Sequence, residues 1–279
     1  MAPVALAAAF LHARRALGTS RAAGELAALA AYGFALERLS MSTFDSHRYG
    51  AGWTVMPLGV PVAVALVWAS VISSALALAA RRGLRTAAGR ALGAAMVAVA
   101  LDLTLEPVAV RRGLWHWTPP GPWLGVPVGN FVGWVVIVAA YSLGAERWAR
   151  GGRFAVEASR RLGLAAASLA ALVAVGVAWT RLGLEDAVGR RGGWVLWGLL
   201  LMAAAALGLR RAAAFEGDTL AGRLGATPGP GPALVFLVVA TAFAAEAAVL
   251  GDRVVGLVAL GTALALAPFL RANERASGG

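Results

Sequence analysis

The chain has 279 residues, of which 59% are hydrophobic and only 14% charged, with a mean hydropathy of +0.73; this excludes an ordinary soluble domain. The net charge of +11 comes from arginine alone, since lysine is absent. In so apolar a chain that excess points to membrane topology and anionic lipids at Arg-rich cytoplasmic loops, not to nucleic acid. With no cysteine, disulfides and thiolate metal sites are excluded as well.

Residues 1–21 hold a short apolar run, Pro3 to Leu11, followed by His12, Arg14 and Arg15. A secretory signal would place its basic residues first, so this stretch reads as a cytoplasmic N-terminal segment carrying a short interfacial helix, with a ninth span as the alternative. Apolar runs then recur at 22–39, 57–80, 88–110, 128–146, 162–180, 193–209, 232–250 and 254–270. They predict an all-α, polytopic transmembrane helical bundle of about eight spans. Residues 22–279 form a single bundle, with 22–146 as a repeat-containing catalytic half and 147–279 as a supporting half. With the N-terminus inside, the inner segments hold 17 arginines and the outer ones 8. The positive-inside rule then gives a multi-pass cell-membrane protein with both termini cytoplasmic.

The first span carries Glu25 near its cytoplasmic end, read as interfacial, and Glu37 near its outer end beside Arg38. Glu37 suits either an interfacial ion pair or a site acid. His47 and Tyr49 follow in a polar, aromatic loop. The second span opens on Leu58-Gly59-Val60-Pro61-Val62, followed by Trp68, and the fourth opens on Leu124-Gly125-Val126-Pro127-Val128, followed by Trp134. All six identities share an offset of 66 residues, so spans one and two read as a duplicate of spans three and four. Each copy places its proline where a helix begins and a missing N–H is no loss.

The third span holds Asp102 and Glu106, four residues apart and hence stacked on one helical face. A carboxylate at mid-membrane costs about 2.5–3.5 kcal/mol on insertion scales, so two on one face need a role. One role is structural, a polar pair gluing helices together and partnered by Arg111 or Arg112. The other is proton handling. The loop that follows carries Trp115, His116, Trp117 and Trp123, and the next span brings Asn130 and Trp134. The tryptophans suit an interfacial belt or, if the chemistry makes a carbocation, cation–π stabilisation. Asn130 could orient a water or a carboxyl. In the second half, residues 216–232 read as a flexible cytoplasmic linker from their glycine and proline content, and Glu246 is the further carboxylate of interest. No histidine cluster with metal-ligand spacing is present, nor a phosphate-binding or nucleophile-elbow motif.

The residues from Leu101 through Asp102, Glu106-Pro107 and Gly113-x-Trp115-x-Trp117 to Gly125-Val126-Pro127-x-x-Asn130-Phe131-x-Gly133-Trp134 resemble the carotenoid biosynthesis membrane proteins. That family includes hydratases of gamma-carotene and bisanhydrobacterioruberin. Glu106 stands where its usual signature has aspartate. Glu37, Tyr49-Gly50, Pro57-x-Gly59-Val60-Pro61 and Trp68 are similar to its first half, and the resemblance covers residues 30–150. It implies a cofactor-independent hydratase that adds water to the terminal double bond of a linear carotenoid drawn from the bilayer. Glu106, Asp102 and Glu37 would be catalytic, and Trp115, Trp117, His116, Asn130, Trp134, Trp68 and Tyr49 would bind substrate. Two other readings stand beside it. One is a membrane lycopene cyclase, which shares the protonation step. The other is a proton-coupled small-molecule carrier, which intramembrane carboxylates also suit.

Overall fold

The computed structural model describes residues 1–148, 154–209 and 219–271. Each of the eight apolar runs is a helix. They are α2 (Thr19–Phe44), α3 (Val62–Ala80), α4 (Ala87–Arg111), α5 (Val128–Trp148), α6 (Phe154–Arg181), α7 (Leu184–Leu209), α9 (Gly231–Leu250) and α10 (Arg253–Arg271), with α1 (Ala2–Leu17) and α8 (Leu220–Ala226) in addition. Among the described residues, α3, α4, residues Val128–Ala145 of α5, and α9 are each long and apolar enough to cross a membrane. Helices α6 and α7 meet at a bend of 94° and make either one broken span or a re-entrant loop, so that four or five spans, not eight, meet this length and composition among the described residues. The protein is thus an all-α, multi-pass membrane bundle.

α3 and α4 form its centre, with 78% and 83% of their apolar windows buried against 33% for α9. Small residues allow this: Ser70, Ser73, Ser74 and a run of alanines line α3, and Gly93, Ala94, Ala95 and Ala98 line α4. Close backbone approach, not bulk, drives helix packing in lipid.

Two expectations give way. The segment 1–21 is no interfacial appendage: α1 packs on α2, α3 and α9, burying Ala5, Ala9 and Ala13. Its first residues line the same cavity as the aromatic loops, while His12 near its other end donates to the Leu224 carbonyl of α8 at 2.9 Å. Nor are residues 219–226 a loose linker. Thr219 accepts the Gly222 N–H as an N-cap, and α8 buries Leu220, Ala221 and Leu224. Arg81, just past α3, donates to the carbonyls of Gly225 and Thr227 at 3.3 and 2.8 Å, holding the helix by its end. The rest of that stretch up to 218, and Arg150, Arg153, Arg210, Arg211 and Arg275, lie outside the described residues.

The duplication has a structural counterpart. Between α2 and α3 runs β1 (His47–Tyr49), between α4 and α5 runs β2 (Trp115–Trp117), and the two pair antiparallel. The register is His47 with Trp117, Arg48 with His116, and Tyr49 with Trp115, so a local twofold passes through the middle pair. Leu58 and Leu124 both adopt positive φ, at 52° and 56°, although leucine seldom enters that region. Val60 N–H bonds Pro57 at 3.0 Å, and Val126 N–H bonds Trp123 at 2.9 Å. Trp68 and Trp134 stack face to face, 3.9 Å apart and within 3° of parallel.

Candidate active site

Helix α4 ends in a tight left-handed turn at Gly113 (φ 66°), where Leu114 N–H reaches back to the Ala109 carbonyl at 2.9 Å. That Schellman-type closure throws the chain straight into β2 and back over the helix face bearing Asp102 and Glu106. In a strand, alternate residues face opposite ways. Trp115 and Trp117 therefore point inward, and His116 points outward and is exposed. The same alternation turns His47 and Tyr49 inward and Arg48 outward.

The inward groups close over a cavity of about 780 Å³ whose walls include Glu37, Tyr49, Trp68, Asp102, Glu106, Trp115, Trp117, Asn130 and Trp134. Nine of the ten anticipated site residues thus share one chamber. His116 is the correction, because the period-two geometry of Trp-His-Trp sends it to the opposite face.

Glu106, 6% exposed, accepts the indole N–H of Trp115 at 2.9 Å and of Trp117 at 3.0 Å, both on Oε2. An indole nitrogen only donates, so any proton carried by this carboxyl sits on the other oxygen, Oε1. Asp102, 1% exposed, accepts the Asn130 amide on Oδ2 at 3.0 Å. Its Oδ1 is buried with no protein partner. An orphaned buried carboxyl oxygen is costly unless water or substrate satisfies it.

Glu37 is held differently. Oε1 accepts Trp68 Nε1 at 2.8 Å and Oε2 accepts His47 Nε2 at 3.0 Å, while the Tyr49 hydroxyl also donates to the carboxylate. With both oxygens occupied by donors, Glu37 is an acceptor and not a proton donor. His47 must carry its hydrogen on Nε2, and its Nδ1 faces the Ser46 hydroxyl at 3.0 Å, which in turn meets Ser40 at 3.0 Å. Tyr49, in the loop, is held well above the usual tyrosine range by burial and then by Glu37, so it remains a donor. Trp68 can lie this close to α2 because residue 33 is glycine; a Cβ there would meet the Trp68 Cβ at 2.7 Å.

Other anticipated partners are elsewhere. Arg111 pairs with Asp252 at 3.1 Å and Arg112 with Glu246, so neither neutralises the buried acids and Glu246 does not reach the cavity. Arg38 does not pair with Glu37, whose partners are His47, Tyr49 and Trp68. Glu25 is not interfacial but 4% exposed, accepting the Tyr141 hydroxyl at 2.5 Å. The roles of His47 and Ser46 escaped the sequence reading, because ten residues and a change of secondary structure separate His47 from Glu37. Among the described residues, no group of three or more histidine and carboxylate side chains is placed to hold a metal ion.

A family model described as carotenoid biosynthesis protein matches residues 2–187. Among curated proteins and among solved structures nothing matches.

Proposed function

The chain belongs to the carotenoid biosynthesis protein family, the matched segment covering more than half its length, and from that premise we propose that it hydrates the terminal double bond of a linear carotenoid. The observation that carries this reading is the orphaned Oδ1 of Asp102, one helical turn from a Glu106 carboxyl whose Oε2 is saturated by indole donors. One acid with a single free oxygen and a second carboxyl one helical turn away are the two groups that hydration needs.

The steps follow from those positions. Glu106 gives the proton on Oε1 to the less substituted carbon of the isopropylidene bond, and the alkene's electron pair forms the new C–H bond. A tertiary carbocation results, flanked by carboxylates and by the indole faces that line the chamber. A water in the chamber beside Asp102 adds to the cation, and Asp102 takes the proton that this water releases. The proton returns from Asp102 to Glu106, so the net change is addition of one water. Glu37 does not donate; as a fully hydrogen-bonded carboxylate it balances the developing positive charge. The reaction asks for no cofactor. A hydrocarbon substrate also accounts for a site built between helices within the bilayer.

The test is pigment extraction from a lycopene-producing host expressing the chain. The expected product is a more polar tertiary alcohol, heavier than lycopene by one water. A ring-bearing isomer of lycopene would identify a cyclase in which an internal double bond traps the same cation. Unchanged lycopene overturns both and returns attention to a carrier.

A further inference from the structure

Glu185 lies in the second half of the chain and reaches back into the first. It stands two residues past Gly183, just beyond the bend between α6 and α7. Its Oε1 accepts the backbone N–H of Val128 at 2.7 Å and its Oε2 that of Gly129 at 3.0 Å. The indole of Trp179, near the end of α6, donates to the same Oε2 at 3.0 Å. Val128 and Gly129 are the first residues of α5, where N–H groups have no partner within the helix and a carboxylate also meets the positive end of the helix dipole. The approach is close: a Cβ on Gly129 would lie 3.0 Å from Trp179 Nε1 and 3.5 Å from Glu185 Oε2. The next residue is Asn130, whose amide holds Asp102 at 3.0 Å.

We infer that Glu185 is a positioning residue for the proposed reaction. By clamping the first turn of α5 it sets where the Asn130 amide sits, and through that amide where the Asp102 carboxyl and its free Oδ1 point. This rests on the hydration reading for what Asp102 does; the clamp itself does not. Glu185 also falls inside the matched segment, which ends two residues after it. A cap that merely stabilised α5 would lower the unfolding temperature and leave turnover of the folded protein unchanged.

The experiment uses the full chain in detergent with lycopene as substrate. Glu185→Gln keeps the size of the side chain but has one acceptor oxygen, so it can serve only one of the two N–H groups. The expected result is a kcat reduced by up to about tenfold, no more than Asn130→Ala costs, with KM unchanged. Combined with Asn130→Ala it should lose no more than Asn130→Ala alone, as residues acting through one another do. Backbone amide exchange at Val128 and Gly129 should accelerate while that of α4 stays slow. Where Glu185→Gln yields no folded protein, Gly129→Ala disturbs the same clamp with the carboxylate in place and gives the same readouts. Additive losses with Asn130→Ala, a change in KM alone, or wild-type exchange at those two amides would overturn the assignment. If the wild-type chain hydrates no carotenoid, the functional reading falls and the exchange measurement decides the clamp by itself.

Discussion

Glu37 and Glu106 each lie under the strand that follows their helix and their oxygens are used in opposite ways, although the 66-residue offset itself sets Leu103 against Glu37 and Ser40 against Glu106. Each carboxylate sits near the end of its helix, and the inward side chains of the next strand close over it: His47 and Tyr49 over Glu37, Trp115 and Trp117 over Glu106. In the first half the second donor set is completed by Trp68, so both oxygens of Glu37 are filled. In the second half Trp134 stacks on Trp68, its indole N–H bonded to no carboxylate among the described residues, and Glu106 keeps one oxygen free of the indoles. Four residues before Glu37 stands Gly33, which any side chain would convert into a clash with Trp68; four residues before Glu106 stands Asp102. Two similar frames thus hold two acids, and the donors and the one glycine that differ between them fit the proposed division between anion and acid.

The largest expected effect tests that division directly. Glu106→Gln can still offer an oxygen to both indoles but cannot donate a proton, so turnover should fall by about 10²–10⁴-fold, the usual worth of a general acid. Glu37→Gln should fold and lose far less, because its part is charge balance and not proton transfer. Product formation by the two purified variants decides the matter. Equal losses would break the comparison, and a greater loss from Glu37→Gln would reverse it.

Next in size is the pair with no counterpart in the first half. Asp102→Asn removes the oxygen that takes a proton from water and should cost turnover about 10²-fold, whereas Asn130→Ala leaves the carboxyl and disturbs only its aim, costing roughly tenfold. Both should insert and purify as the wild type does. If the two variants lose equally, Asp102 acts through Asn130 and not through its own free oxygen. Full turnover in Asp102→Asn would move the base to another residue.

The stacked tryptophans sharpen the comparison at the level of stability. Trp68→Phe keeps an aromatic face for Trp134 but removes the 2.8 Å bond to Glu37, and a lost hydrogen bond to a charged group costs about 1.5–3 kcal/mol. Trp134→Phe keeps a stack and removes no carboxylate bond, so its cost should stay near the usual volume penalty of about 1 kcal/mol. Thermal unfolding in detergent should rank Trp68→Phe below Trp134→Phe. The opposite ranking would mean that the stack, and not the Glu37 bond, holds the first half together.

How much of this was legible in the sequence follows from the range of the forces involved. The helices were readable because each is an apolar run of spanning length, and Asp102 with Glu106 because i, i+4 spacing is local geometry. The repeat was readable in Leu-Gly-Val-Pro-Val, although its antiparallel strand pairing was not. The outward turn of His116 was present in the signal, since Trp-His-Trp alternates like a strand, but a helical and aromatic-belt frame of reading hid it. Contacts set by the tertiary path were invisible: Glu185 lies more than fifty residues from the amides it caps, and only the 94° bend at α6 and α7 brings it there. Helix α8 was lost for a related reason, because seven residues flanked by glycine and proline carry a weak local signal, and the bonds from Arg81 and His12 to their carbonyls come from far along the chain.

The smallest expected effect concerns how the second cradle is anchored. The end of α4 below Glu106 is tied to α9 and α10 by exposed ion pairs, Arg111 with Asp252 and Arg112 with Glu246, whereas among the described residues the exposed pair of the first cradle is the local Arg48–Asp45 at 2.5 Å. The Val255 backbone N–H, and then Arg111, hold the Asp252 carboxyl below the usual carboxylate range. Its folded value is therefore lower than its unfolded one of about 3.9. The stability this adds is fully present above that unfolded value and is lost as pH falls through the folded one. Solvent screening limits it to a few tenths of a kcal/mol. Asp252→Asn should thus unfold slightly earlier than the wild type at pH 7, the gap should close toward pH 3, and turnover should be unchanged. A gap that widens in acid would contradict the sign of the linkage. A loss of turnover as large as that of Asn130→Ala would show that the second acid depends on its distant anchors as much as on its own indole donors, and the contrast between the two cradles would have to be redrawn around α9 and α10.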